Sequence, residues 1–276
     1  MTKFADLHIH TCFSDSSSSP QDVVRQAVAQ GLSCIAITDH DTVDGVMPTV
    51  QAAQDYDLEI VSGVELSCEV DNKDIHILGY FVDCQNENFA KKLKRFQQIR
   101  IERIHKIIEN LQVHGIDNIT FEEVFRRTEA DAVGRAHLAF VLVQKGWASN
   151  NSEAFDKYLG EHCSTYVPKY KQTPQEAITL IKAAGGAAVL AHPMVTNRDE
   201  LIPSLVEAGL DGVEVYYHNC SAAIYRYYEK IASKHGLAMT GGSDSHGDVK
   251  KYTYIGKQKI SCDLVEELRE RAGARI

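Results

Sequence analysis

Short apolar runs that end in histidines or carboxylates recur along this chain. They constrain its fold more than any other feature. Residues 4–10, 33–38, 59–67, 75–82, 187–191, 212–216 and 237–242 read as strands. Helix-like stretches separate most of them, at 20–30, 46–56, 173–184, 199–208, 221–235 and 263–272. The helix starts carry their own signals. Ser19 precedes Pro20, and Gly31 ends that stretch; Pro174 opens another, which Gly185-Gly186 closes. The run Ser-Cys-Ile-Ala-Ile-Thr at 33–38 is nearly all apolar, as a strand covered on both faces requires. Repeated β-α units of this length predict a parallel sheet, open or closed into a barrel.

The middle of the chain departs from that rhythm. Residues 86–114 form one long charged stretch with apolar residues at helical spacing, among them Leu93, Ile104, Ile107, Ile108 and Leu111. Thr120-Phe121-Glu122-Glu123 is a capping box opening another helix. Residues 134–145 and 152–159 predict two more. A helical insertion at 100–165 is therefore expected within an α/β unit made of 1–99 and 166–276.

A chain of 276 residues suits two domains, or one barrel with an insertion. It buries about three quarters of its unfolded surface, so its core needs no structural ion. A metal here would serve function. There is no apolar run of 18 residues, the length a membrane-spanning helix needs. The N-terminus leads directly into a strand with no signal-peptide pattern, which predicts the cytoplasm. Seven cysteines without a C-x-x-C fit reduced thiols rather than a disulfide scaffold or zinc ribbon. A net charge of −9 argues against general nucleic-acid binding. The anomaly is twelve histidines, several beside carboxylates at strand ends.

Ligands of parallel α/β proteins bind beyond the carboxyl ends of strands, where these residues cluster. In Asp6-Leu7-His8-Ile9-His10, His8 and His10 share one strand face, about 6–7 Å apart at the backbone. Asp15 lies in the loop that follows. Thr38-Asp39-His40-Asp41 follows the second strand: His40 is a candidate ligand, and Asp39 and Asp41 are candidates to orient imidazoles. Glu65 stands in an apolar strand, where an unpaired carboxylate is rare. His76 is isolated between isoleucines. His192 sits at a strand tip before Pro193, and Gly-Gly-Ser-Asp244-Ser-His246 repeats the two-residue spacing. Six histidines and three carboxylates are too many for one tetrahedral zinc and suit a site of two or three metals. Manganese, iron and zinc all accept such a mixed set.

These motifs, in this order, resemble the PHP (polymerase and histidinol phosphatase) family of metal hydrolases. The resemblance implies a distorted (β/α)7 barrel holding three divalent metals. Position by position it implies one metal on His8, His10, Glu65 and Asp244, and a second on Glu65, His76 and His192. The third would take Asp15, His40 and His246. Gly134-Arg135-Ala136-His137 and Tyr166-Val167-Pro168 resemble the branch containing 3′,5′-nucleotide bisphosphate phosphatases and a 5′→3′ exoribonuclease. In that branch a helical lid supplies phosphate-binding groups. Arg135 and His137 are therefore expected to contact substrate; Lys169, Lys171 and His218 are further candidates to face the cleft.

The expected reaction is hydrolysis of a phosphate ester, foremost the 3′-phosphate of a nucleoside 3′,5′-bisphosphate. Three divalent cations would outweigh three ligand carboxylates, leaving a cationic pocket in an acidic protein. A water bridging the metals would attack phosphorus in line. Asp39, Asp41 and His192 are candidate general acids. A histidinol-phosphate phosphatase, a 5′→3′ exonuclease on short RNA and a non-catalytic metal-binding module are the alternatives. For the exonuclease, Arg126, Arg127 and Arg135 with Phe121 and Phe125 are the basic and aromatic groups such a groove requires. A small phosphorylated molecule is the expected partner, with no membrane and no obligatory protein.

Overall fold

The computed structural model describes residues 3–126, 133–168, 172–250 and 252–273. One sheet organises it. Its strands are β1 (Phe4–Ile9), β2 (Cys34–Ile37), β3 (Glu59–Val70), β4 (Lys73–Tyr80), β5 (Ala187–Leu190), β6 (Gly212–Tyr217), β7 (Ala238–Gly242) and β8 (Ile260–Ser261). They lie in the order β7-β6-β5-β4-β3-β2-β1-β8. The ends of the row then meet. A parallel bridge joins Ile9 to Ser245, and the His10 N–H donates to the Ser245 carbonyl at 3.1 Å. Gly242 permits this closure. A Cβ there would stand 2.4 Å from the His8 nitrogen, so any larger residue would hold β7 away from β1. The result is the expected α/β architecture, a distorted barrel of seven strands with the two-residue β8 added outside.

The sheet is not wholly parallel, contrary to the β-α rhythm. β4 runs antiparallel to both β3 and β5. Only Asp71 and Asn72 separate β3 from β4, and both have positive φ, 50° and 61°. A two-residue turn of that kind closes a hairpin and cannot make a parallel crossover.

Helix starts follow the sequence signals. Ser19 and Asp22 cap Pro20–Ala29 reciprocally, and Thr120 and Glu123 do the same for Phe121–Phe125. The long helix Glu87–Val113 begins at its Asn86 cap. Its first turns bury Phe89 and Leu93 with β3, β4 and the helix Pro174–Ala183. Further along, Ile104, Ile107, Ile108 and Leu111 pack with Leu138, Leu142 and Leu159 in a separate cluster. That spacing of three and four residues is one helix face. One helix thus belongs to two cores. Among the described residues, no helix is long and apolar enough to cross a membrane.

Candidate metal centre

All nine residues singled out as metal ligands converge at one end of the barrel. His8 projects from β1, and His10 follows that strand by one residue, with ring centroids 5.2 Å apart. Glu65 is central. It pairs across the hairpin with Leu78, so His76, two residues along β4, falls on the same face. Its Oε1 lies 2.7 Å from His76 Nδ1 and 3.1 Å from His192 Nε2. Its Oε2 lies 3.2 Å from His10 Nε2 and 3.3 Å from both His8 Nε2 and His40 Nδ1. Asp244 Oδ1 lies 3.2 Å from His10 Nε2 and 3.4 Å from His246 Nδ1. Asp15 Oδ1 lies 3.3 Å from His246 Nε2.

Three sets bring their donor atoms within 4.8 Å of one another: His8–His10–Glu65, His40–Glu65–His76 and His10–Asp15–His40–His246. Glu65, His10 and His40 each belong to two of these sets, so the donor atoms form one continuous cluster. Several donors also lack hydrogen bonds. Both His10 ring nitrogens, His40 Nδ1, His192 Nδ1 and Asp15 Oδ1 are buried without such a partner. Two ligands at about 2.1 Å from one zinc-like ion stand roughly 3–3.4 Å apart, close to the spacings here. The donor set fits divalent cations.

Electrostatics agrees. Burial opposes charge on Glu65, yet His40, His76 and His8 hold its carboxyl well below the usual range. Burial likewise opposes charge on Asp15 and Asp244, and His246 foremost keeps each well below it. Burial also disfavours protonated His10, but Asp244 and Glu65 raise it to about 9. Carboxylates this buried hold either protons on imidazoles or cations in their place.

The backbone bends sharply at the site. Asp41, His192 and Asp244 have φ of 53°, 28° and 50°. Non-glycine residues there cost about 1–3 kcal/mol each and collect where function needs them.

Glu214 is a member of the site that sequence reading did not find. This fully buried β6 carboxylate accepts a 2.8 Å hydrogen bond from the His192 N–H and lies 2.9 Å from His8 Nδ1. It thus aims the other His8 nitrogen at Glu65, the familiar support for a metal-binding imidazole. In sequence it is one acid in the apolar run Gly-Val-Glu-Val-Tyr-Tyr, the same signal that marked Glu65.

Asp39 and Asp41 do not orient imidazoles. Asp39 accepts from the Thr11 N–H, the Thr11 hydroxyl and the Ser14 hydroxyl, and so ties down the loop carrying Asp15. Asp41 accepts from the Ser67 N–H and from the Arg100 guanidinium. With these partners neither carboxyl is placed as a free general acid.

A cavity of about 210 Å³ opens beside the cluster, lined by Asp15, His40 and His76 and by three arginines, Arg100, Arg103 and Arg135. Arg100 bonds Asp41 and the Ser67 hydroxyl. Arg103 donates to the Val167 carbonyl, and its buried Nη2 has no hydrogen-bond partner. Burial, with Arg135 beside it, lowers Arg103 to about 10. Arg135 donates to the Leu159 carbonyl, and both Arg103 and Arg135 stand 5.6 Å from the Tyr166 ring. Arg100 and Arg103 were missed in sequence because they lie inside a long charged helix, where most cations face water.

Other candidates are placed elsewhere. His137 accepts from the Gly134 N–H at the start of its helix and does not line this cavity. Phe121 and Phe125 pack against the cluster of Ile104, Ile107 and Leu138, with Phe121 against His105, and do not line the cavity. Arg126 is exposed at the end of its helix. His218 does not line this cavity; its ring lies 4.2 Å from that of Tyr217, whose hydroxyl donates to Asp244 Oδ2. Arg127, Lys169 and Lys171 lie outside the described residues.

Known proteins are similar to this chain over almost its whole length. The PHP domain family matches residues 6–275. A 5′-3′ exoribonuclease of Haemophilus influenzae is 34% identical over 251 residues, 89% of this chain and 91% of that protein. A 3′,5′-nucleoside bisphosphate phosphatase of Chromobacterium violaceum is 31% identical over 98% of this chain and 97% of its own. A solved structure from Bifidobacterium adolescentis, named for metal-dependent phosphoesterase activity, superposes with a TM-score of 0.87. It is 30% identical, covering 97% of this chain and 96% of its own. The chain therefore belongs to the PHP domain family and is a metal-dependent hydrolase of phosphate esters.

Proposed function

We propose that this enzyme removes the 3′-phosphate from nucleoside 3′,5′-bisphosphates. The nine clustered residues would hold three divalent cations, with manganese the first candidate and iron or zinc also suited to the donors. Residues 100–165 would act as a lid on the α/β unit of 1–99 and 166–276. The observation that carries this reading is the arginine cavity beside the imidazole cluster. A buried guanidinium with an unpartnered Nη2, close to a second guanidinium, is costly unless an anion arrives. Arg103 and Arg135 are thus built to take one phosphate while another lies against the metal ligands, with Arg135 offering its planar fork. Binding at the remote phosphate then orients the reacting one.

Bound divalent cations would supply an activated water and neutralise phosphoryl oxygens. The protein's own part is positional. Glu214 fixes the His8 ring, Asp39 fixes the loop bearing Asp15, and Asp41 fixes Arg100 at the cavity wall. A second reading, 5′→3′ exonuclease action on short RNA, uses the same groups with a 5′-terminal phosphate in the arginine cavity. The similarity to the exoribonuclease of H. influenzae supports it.

The test is phosphate release from adenosine 3′,5′-bisphosphate by manganese-loaded protein, with identification of the nucleotide product. Rapid appearance of 5′-AMP is expected. No release from the bisphosphate, with turnover of histidinol phosphate or of short RNA alone, would replace the proposal.

A further inference from the structure

A nucleoside bisphosphate needs only the arginine cavity and the metal ligands, but an oligonucleotide must continue past them. We infer that the loop bearing Lys250, Tyr252 and Tyr254, with His218 nearby, is the surface over which a single-stranded oligonucleotide leaves the metal centre. This rests on the phosphoester-cleaving assignment of the same site.

The loop is fastened at two points, one on the metal cluster and one on β1. Lys250 Nζ donates to Asp244 Oδ2 at 3.0 Å, leaving Oδ1 toward His10 and His246. The Gly256 N–H donates to Asp6 Oδ2 at 2.8 Å, and Asp6 also accepts from the Ser243 N–H just past β7. Tyr252 and Tyr254 lie between these anchors, 82% and 53% exposed. Lys257 donates to the Tyr252 carbonyl, and its ammonium stands 6.0 Å from the Tyr254 ring centroid.

The loop meets the cluster at Asp244, which does not line the arginine cavity. The cavity reaches the cluster through Asp15, His40 and His76. From His76 the contacts run through Glu65 and His10 to Asp244, and Lys250 lies beyond. A strand with its terminal phosphate among the arginines and its next phosphate at the metal ligands would therefore emerge at Lys250.

The loop's chemistry suits that occupant. Residues 250–259 contain four lysines and no carboxylate, in a chain of net charge −9. Exposed tyrosines offer faces on which any base stacks, and the lysines supply the charge that tracks a phosphate backbone. His218 adds a ring 4.2 Å from Tyr217 and a buried Nδ1 without a hydrogen-bond partner.

The test pairs binding with turnover. Fluorescence anisotropy with a phosphorothioate-linked, 5′-phosphorylated hexaribonucleotide measures Kd on the metal-loaded protein without cleavage. Combined Tyr252→Ala and Tyr254→Ala substitution is expected to weaken binding at least ten-fold, while Tyr→Phe at both positions restores it. The KM for adenosine 3′,5′-bisphosphate, too short to reach the loop, should stay within two-fold. The inference is overturned by an unchanged Kd in the alanine variant, by absence of binding to the unaltered protein, or by an equal rise in both constants. Absence of turnover on bisphosphate and RNA alike would instead defeat the catalytic assignment, and binding would be read separately from it.

Discussion

On one wall of the cleft, six imidazoles and three carboxylates hang from strands and from the loops that follow them, each within hydrogen-bonding distance of another. On the other, three guanidiniums project from the helices Glu87–Val113 and Arg135–Gln144. The first wall is held by sheet register and by mutual charge, so each member depends on the rest. The second is held residue by residue. Arg103 and Arg135 each donate to one backbone carbonyl, and Arg100 pairs with Asp41. On the proposed function, the barrel wall would determine whether chemistry occurs, and the helical wall which phosphate ester is held there.

The sharpest way to break this contrast is Glu65→Gln. Glu65 lies against five of the six imidazoles. Its loss should remove several kcal/mol of charge stabilisation, a fall in kcat of about 10³-fold or more. Bound metal, measured by elemental analysis, should fall with it. Retention of full metal content and rate would show that Glu65 is not the shared ligand.

Glu214→Gln should act on the same wall more gently. The His8 ring would lose its charged support, and metal affinity should weaken by about 10- to 100-fold. Titration calorimetry reads this directly. Near-normal kcat at saturating metal would separate orientation from ligation, whereas unchanged affinity would leave Glu214 with only a structural part.

The smallest effect is expected on the helical wall. Arg103→Ala should raise KM for a bisphosphate roughly ten-fold, the value of one hydrogen bond to a charged group, with kcat little changed. Hydrolysis of a monophosphate, which leaves the arginine cavity empty, should be unaffected. A fall in kcat on both substrates would mean that the two walls are not separable.

The two walls were also unequally legible. His8 and His10 announced themselves because a strand's two-residue period puts them on one face. Glu65 did so because a lone acid in an apolar strand needs a partner. Glu214 carries the same signal, but of this stretch only His218, just past β6, was singled out. Arg100 and Arg103 gave no such signal, since a cation on a long polar helix is ordinary until something packs over it. The β3–β4 hairpin was readable in principle from Asp71-Asn72, yet the β-α rhythm around it suggested otherwise.

The strands and helices, their caps and the identity of most cluster residues follow from local chemistry: apolar period, proline and glycine placement, and acids or imidazoles where water is excluded. Local sequence determined that much because those forces act over a few residues. Closure of the barrel at Gly242, sharing of Glu65 among five histidines and the meeting of Arg103 with Arg135 join residues far apart in the chain. Only tertiary packing decided them, because no local preference specifies which distant strand end or helix face a side chain will meet.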